Sequence, residues 1–210
     1  MNLVNHYWYF QSVIPHRICD EIIKYGLGQQ EQVALTGEQG DVDAKDLCEQ
    51  DIKELHKKRN SNVTWMDDRW IYKEIQPYIH VANKNSGWNF DWDWSESCQF
   101  TKYKLNQFYD WHCDSNKKPY DKPDDLNSHG KIRKLSTTVS LVDSSEYEGG
   151  DFEFDFRDKD NGSNTPHVCE EIKPKGSIVV FPSFVWHRVK PVISGTRYSL
   201  VIWNLGRPYR

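Results

Sequence analysis

Two periodicities divide the chain. Over 15–26, apolar side chains recur at helical spacing as Ile18, Ile22, Ile23 and Tyr25. Pro15 before them and Gly26 after them suit helix boundaries, so a helix is predicted there. A second helix is predicted over 70–83, with Pro77 as a kink site. Between the two, 29–62 is polar and poor in large hydrophobes. A solvated helix around 43–58 and loop elsewhere are the expectation for that stretch. From residue 88 the period changes to two: Trp88, Phe90, Trp92 and Trp94 alternate with Asn89, Asp91 and Asp93, the pattern of a half-buried strand. Further strands are predicted over 99–105, 108–114, 135–142, 151–156, 177–181 and 196–203. In 151–156, Phe152, Phe154 and Phe156 face one way and Asp151, Glu153 and Asp155 the other. Short strands separated by turn signals predict a sandwich or barrel. The fold class is therefore mainly β with flanking helices (α+β): a β core over 88–206, buttressed by N-terminal helical support over 1–87, within one domain spanning 1–210.

Two polar stretches interrupt the strands. Residues 115–134 hold Pro119 and Pro123, and 157–167 hold Gly162 and Pro166. Both predict loops, long enough to serve as lids or binding segments.

Composition narrows the function classes. Of 210 residues, 37 % are hydrophobic and 14 % aromatic, with nine Trp and eleven Tyr, which a disordered chain lacks. The formal net charge of -4 argues against an electrostatic nucleic-acid binder. The five cysteines are odd in number and form no CxxC, so a disulfide framework or zinc knuckle is not expected and a reducing compartment fits. The N-terminal segment has no basic start followed by an apolar run, and no stretch has the length and apolarity of a membrane span. The expectation is a cytoplasmic protein with neither nucleic acid nor membrane as partner.

Chemistry concentrates in Trp111-His112-Cys113-Asp114. Residues two apart on a strand share a face, so His112 and Asp114 can offer an imidazole nitrogen and a carboxylate oxygen to one ion. His187, just past the apolar strand at 177–181, is the best second imidazole. Two His and one carboxylate on one face of an octahedral ion leave open positions, the geometry of non-haem iron(II) oxygenases. A hydrogen-bonded core histidine beside Trp186 is the plainer alternative. Arg197 lies in an otherwise apolar strand, with Ser199, Val201 and Trp203 on its face. A buried guanidinium needs an anion: a dicarboxylate cosubstrate bound bidentately, or an internal Asp or Glu.

Four blocks in order carry a resemblance. Tyr103-Lys104-Leu105-Asn106-Gln107-Phe108-Tyr109-Asp110-Trp111-His112-Cys113-Asp114 is similar to the pattern Tyr-x-x-Gly-Gln-x-Tyr-x-x-His-x-Asp of the prolyl 4-hydroxylase branch of the 2-oxoglutarate/iron(II) oxygenases. Leu135 to Leu141, then Tyr147 to Phe152, resemble that branch's strand, loop and Gly-Gly-Glu strand. Lys175 to Pro182, His187, Pro191-Val192, Gly195 and Arg197 resemble its closing motif. The chain departs from the pattern at Asn106 (Gly in relatives), Asp151 (commonly Glu) and Arg197 (often Lys). The likeness covers roughly 88–206.

The resemblance implies a double-stranded β-helix (jelly-roll) core. It implies His112, Asp114 and His187 as iron ligands, with Arg197 pairing with the C5 carboxylate of 2-oxoglutarate. Tyr103 would add a phenol hydrogen bond, and Thr138 and Trp203 would form pocket wall. Tyr103 differs in parity from His112, which requires a bend between them; Asn106-Gln107 is the expected place. The implied cofactors are Fe(2+), 2-oxoglutarate as cosubstrate and O2, with ascorbate as accessory reductant. The implied activity is hydroxylation of an unactivated C–H bond, with a proline-containing peptide or protein as the leading substrate. A free amino acid, another protein side chain or a small metabolite stands as the alternative substrate, and a zinc hydrolase or a non-catalytic jelly-roll binding module as the alternative class. No role is assigned to Cys113, read as packing, to Trp88, Trp92 and Trp94, read as core, or to His129 and His167, read as solvated. Trp65, Trp70 and Tyr120 suit either a peptide groove or surface packing. Lys117, Lys118, Lys131, Arg133 and Lys134 read as a solvated basic surface.

Overall fold

In the computed structural model, which describes residues 3–36, 44–115, 118–156 and 166–209, each period becomes an element. The elements in order are β1 (Trp8–Phe10), α1 (His16–Leu27), β2 (Gln32–Val33), α2 (Glu49–Leu55), β3 (Arg59–Asn60), β4 (Asn62–Met66), α3 (Arg69–Asn85), β5 (Trp94–Ser95) and β6 (Cys98–Tyr103). Then come β7 (Phe108–His112), β8 (Ile132–Ser140), β9 (Tyr147–Gly149), β10 (Phe152–Asp155), β11 (His167–Val168), β12 (Ile178–Pro182), β13 (Trp186–Val189), β14 (Val192–Gly195) and β15 (Arg197–Gly206).

Two antiparallel sheets face each other. The larger runs β1-β12-β8-β15-β6-β4-β2, with β5 on the end of β15; the smaller runs β11-β10-β13-β7-β3. β9 and β14 form a separate pair. Alternation along the strands of the larger sheet separates its two faces. Cys98, Phe100, Val139, Ile178, Val180, Leu200 and Ile202 pack outward against α1 and α3. Gln99, Thr101, Tyr103, Thr138, Arg197, Ser199, Val201 and Trp203 point inward, where they meet side chains of the smaller sheet around one cavity. One apolar core is thus helix on sheet; a second, with Phe152, Phe154, Val179 and Phe181, fills part of the space between the sheets, and the polar groups gather around the cavity beside it.

α1 buries Ile18, Cys19 and Ile22, and α3 buries Ile71, Ile75, Ile79 and Ala82, the stripes that helical spacing requires. α3 runs through Pro77. Gly26 does not end α1 but lies within it: a Cβ there would sit 2.6 Å from the Phe100 ring, so the residue is glycine because the helix and sheet touch.

Three expectations fail. Residues 88–93 form no strand; Asn89 has φ +50, and the Asn83 side chain bonds both the N–H and the C=O of Phe90. The aromatic alternation anchors an irregular segment instead of building a ladder. The polar stretch at 29–62 is richer in strand than expected, since β2, β3 and the start of β4 lie in it. The basic cluster is not all solvated: Lys134 is buried with Nζ 3.6 Å from the Tyr209 ring centroid, and Arg133 pairs with Glu96 at 2.5 Å. Asp43, Lys117 and residues 157–165 of the second predicted loop lie outside the described residues.

Candidate active site

β7 and β13 are neighbours in the smaller sheet, and His112 and His187 are direct cross-strand partners. The second imidazole therefore comes from the adjacent strand. Asp114 follows two residues after His112, where its backbone N–H bonds Ser183 O at 2.8 Å. This turns the chain off β7 while keeping the carboxylate on the imidazole side. His112 Nε2 lies 3.8 Å from Asp114 Oδ1, and His187 Nε2 lies 3.6 Å from Asp114 Oδ2. One ligand atom from each of the three falls within 4.8 Å of the others.

Hydrogen bonds orient all three side chains. His112 Nδ1 bonds Asp110 O at 2.8 Å, and His187 Nδ1 bonds Val185 O at 3.0 Å. A carbonyl only accepts, so each Nδ1 carries the proton and each Nε2 turns its lone pair toward the shared point. Ser136 Oγ donates to Asp114 Oδ2 at 2.7 Å and lies 2.9 Å from Ser183 Oγ. Burial, then the neighbouring His187, pushes His112 well below its ordinary range against the pull of Asp114. Burial raises Asp114, but the two imidazoles, Arg133 and the Ser136 hydroxyl outweigh it and hold the carboxyl below its ordinary range. Two imidazoles and one carboxylate form the donor set that Fe(II) takes with open positions to spare. The same set can hold zinc, so the rest of the cavity decides the chemistry.

At the other end of the cavity stands Arg197, 3 % exposed. Its Nη1 donates to Ser199 Oγ at 3.2 Å, and its Cζ lies 5.4 Å from the ring centroid of Tyr103, its cross-strand partner. Among the described residues no Asp or Glu pairs with it, so the internal bridge that sequence left open is not found there. The aliphatic part of Arg197 rests on Gly150: a Cβ there would stand 3.0 Å from Arg197 Cδ, and φ is +63. Tyr103, Thr138 and Trp203 also line the cavity. Tyr103 lies on β6 of the larger sheet and His112 on β7 of the smaller, so the parity change is a change of sheet. It occurs at Asn106, φ +63, with Gln107 Oε1 accepting from Lys104 N at 2.8 Å. The cavity is narrow, 40 Å3 against the several hundred Å3 of an ordinary ligand pocket.

Sequence reasoning missed Arg59, Gln99, Tyr109 and Ser136. The Tyr109 ring stacks on His112 with centroids 3.5 Å apart and 12° between planes. Burial pushes its hydroxyl up to about 12 against the opposing Arg59. Tyr109 falls inside the motif block that drew attention to His112, and that was its one signal; Arg59 lay in a stretch read as polar loop. Cys113 sits between the ligands without reaching the cavity lining. A separate groove of 1080 Å3 is lined by Trp65, Trp92, Trp94, Tyr72 and Tyr120 among others. Trp94 is 43 % exposed and belongs to this groove, not to the core. Trp70 packs against Tyr25 instead. Trp65 lies 6.1 Å from Trp203, so groove and cavity share a wall.

Residues 98–204 match the sequence model of the 2OG-Fe(II) oxygenase superfamily. A PKHD-type hydroxylase of Synechococcus sp. (strain CC9902) is 35 % identical over 108 residues, 51 % of this chain and 40 % of that protein. One from Hyphomonas neptunium is 39 % identical over 70 residues, 33 % of this chain and 27 % of that protein. The chain spans about two fifths or less of the length of these curated relatives. Among solved structures, a viral collagen prolyl hydroxylase from Paramecium Bursaria Chlorella virus-1, complexed with 2OG, superposes with TM-score 0.63 at 21 % identity, covering 97 % of each chain. A Pseudomonas putida prolyl-4-hydroxylase gives 0.61 at 19 %, covering 98 % of this chain and 95 % of that one. A Trichoplax adhaerens prolyl hydroxylase in complex with a hypoxia inducible factor peptide fragment gives 0.66 at 15 %, covering 96 % and 84 %. At these identities the structures establish a shared fold, the jelly roll.

Proposed function

Because the chain belongs to the 2OG-Fe(II) oxygenase superfamily, we propose that it hydroxylates an unactivated C–H bond, with iron held by His112, Asp114 and His187 and 2-oxoglutarate anchored by Arg197. The observation that carries this reading is the pairing of a three-donor cluster with a buried cation that no Asp or Glu among the described residues pairs, in one cavity. When bound, iron, 2-oxoglutarate and dioxygen couple oxidative decarboxylation of the diacid to insertion of one oxygen atom into C–H. The chain's own residues bind, orient and shield. Arg197 offers two N–H groups to the far carboxylate, Tyr103 adds its phenol, and Thr138 and Trp203 close the wall. Ser136 and the carbonyls of residues 110 and 185 hold the ligands in the form that binds a metal. A zinc hydrolase would have no use for the Arg197 site.

For the substrate, a proline residue in a peptide or protein is the proposal. The structural relatives, prolyl hydroxylases, suggest it, and the aromatic groove beside Trp203 supports it, since extended proline-rich segments dock on such surfaces. The test is direct. Anaerobic addition of Fe(II) and 2-oxoglutarate should produce a weak visible absorption band, and admission of oxygen should then release succinate. Retention of succinate release in His112→Ala would remove that residue from the ligand set. Incubation with a panel of proline-containing peptides should add the mass of one oxygen to proline; no gain across the panel would discard the proline substrate.

A further inference from the structure

Arg197 is not the only buried guanidinium in the cavity. Arg59, at the start of β3, is 6 % exposed and lines the same space as Gln99, Tyr109 and His112. Its acceptors are neutral. Nη1 donates to Leu35 O at 2.7 Å, Nε to Ser61 Oγ at 3.1 Å, and Nη2 to Gln99 Oε1. A guanidinium has five N–H groups, so one on each terminal nitrogen has no acceptor among the described residues, and no Asp or Glu there pairs with it. Its Cζ lies 4.4 Å from the Tyr109 ring centroid, and that ring covers His112. Arg59 is therefore separated from a metal ligand by one aromatic ring.

A second donor stands at the same end. Trp203 Nε1 is buried with no hydrogen-bond partner among the described residues. Trp203 is the cross-strand partner of Ser136, whose hydroxyl holds Asp114. Arg197 lies beside Tyr103, whereas Arg59 reaches Gln99, four residues away on β6 and so about 13 Å along the strand. The two cations mark opposite ends of the cavity.

Charge points the same way. Among the described residues, the cavity wall carries two guanidinium groups against one carboxylate, Asp114. A divalent ion and a dianionic cosubstrate cancel each other and leave the excess positive charge in place. Burying an unmatched charge is costly, and an orphaned buried donor adds to that cost. One further anion, at the metal end, relieves both.

We infer that Arg59, together with the Trp203 indole N–H, binds a carboxylate of the substrate itself, close to the carbon that is oxidised. This rests on the oxygenase reading above and makes the substrate an acid. The carboxylate has two possible sources: the α-carboxylate of a free or C-terminal residue, or the side chain of an acidic neighbour in a peptide.

Calorimetric titration under nitrogen, with the protein holding Fe(II) and 2-oxoglutarate, reads binding without turnover. Two matched pairs distinguish the sources: N-acetyl-L-proline against N-acetyl-L-prolinamide, and an end-blocked Asp-Pro tetrapeptide against its Asn-Pro counterpart. In one pair the acid should bind at least tenfold more tightly than the amide. Arg59→Gln should abolish that preference, and Arg59→Lys, which keeps the charge, should retain part of it. Trp203→Phe, which keeps the ring and removes the donor, should reduce it. Equal binding of acid and amide in both pairs, binding of none of the four, or a preference that survives Arg59→Gln would each overturn the assignment. Succinate released without any substrate reports the parent reading separately: its absence counts against the oxygenase, whereas its presence alongside no acid preference counts against Arg59 alone.

Discussion

Arg197 is buried with one serine hydroxyl and a tyrosine ring for company. That environment makes two opposite demands on a variant. Arg197→Met should raise the 2-oxoglutarate concentration for half-maximal succinate release roughly a hundredfold, about 3 kcal/mol for a carboxylate that loses its buried partner. The same change should leave the melting temperature of the metal-free protein unchanged or higher, since it removes a buried cation that no Asp or Glu among the described residues pairs. An unaltered cosubstrate requirement with a lower melting temperature would make Arg197 structural. Ser136→Ala removes the donor to Asp114; loss of such a supporting contact weakens metal binding on the order of tenfold, measurable by competition with a chelator, and unchanged affinity would mean that the backbone alone sets the carboxylate. The pairing of His112 with Asp114 was legible in sequence because parity on a strand is enough to put both on one face. Ser136, Gln99 and Arg59 were not, because their partners arrive from other strands and no local spacing encodes them.

Element by element, the helices were read within a few residues, since burial of one stripe is a local property of the sequence. The strands were read where apolar and polar positions alternate along a hydrogen-bonded ladder, as in β6, β8 and β15. Residues 88–93 alternate equally well but are pinned by Asn83 and by the indole of Trp88, which donates to Asn5 O at 2.7 Å; aromatic anchoring imitates the period of a strand. Sequence places His187 just past the strand at 177–181; the chain does turn at Ser183 and Phe184, but it re-enters a sheet at once as β13. Gly26 shows contact overriding propensity. Gly26→Ala should destabilise by roughly 1–3 kcal/mol through overpacking against Phe100, although alanine favours a helix by about 1 kcal/mol. The urea midpoint at unchanged slope measures this, and a gain in stability would show that the Phe100 ring yields.

Across the whole molecule, helices and the outer face of the larger sheet carry one apolar core, a second apolar cluster fills part of the space between the sheets, and the cavity beside it is given to charges and hydrogen bonds. Such an interior is incompletely matched until ligands arrive, so ligand binding and stability are linked. At a hundred times the dissociation constant a ligand adds about 2.7 kcal/mol, which for a chain of this size is roughly 5–10 °C in melting temperature. Fe(II) with 2-oxoglutarate under nitrogen should produce such a rise, and His187→Ala should lose it; an equal rise in that variant would place the metal elsewhere. The overall architecture was legible through ordered motif blocks more than through periodicity, because the facing of two sheets is a long-range arrangement.

The most direct measurement is a crystal structure of the protein grown anaerobically with Fe(II) and 2-oxoglutarate, with anomalous scattering collected at the iron edge. A single iron peak bonded to Nε2 of His112, Nε2 of His187 and the carboxylate of Asp114, with the diacid's far carboxylate on the Arg197 guanidinium, is the predicted result. Iron bound away from those three side chains, or a diacid whose far end does not meet Arg197, would contradict it.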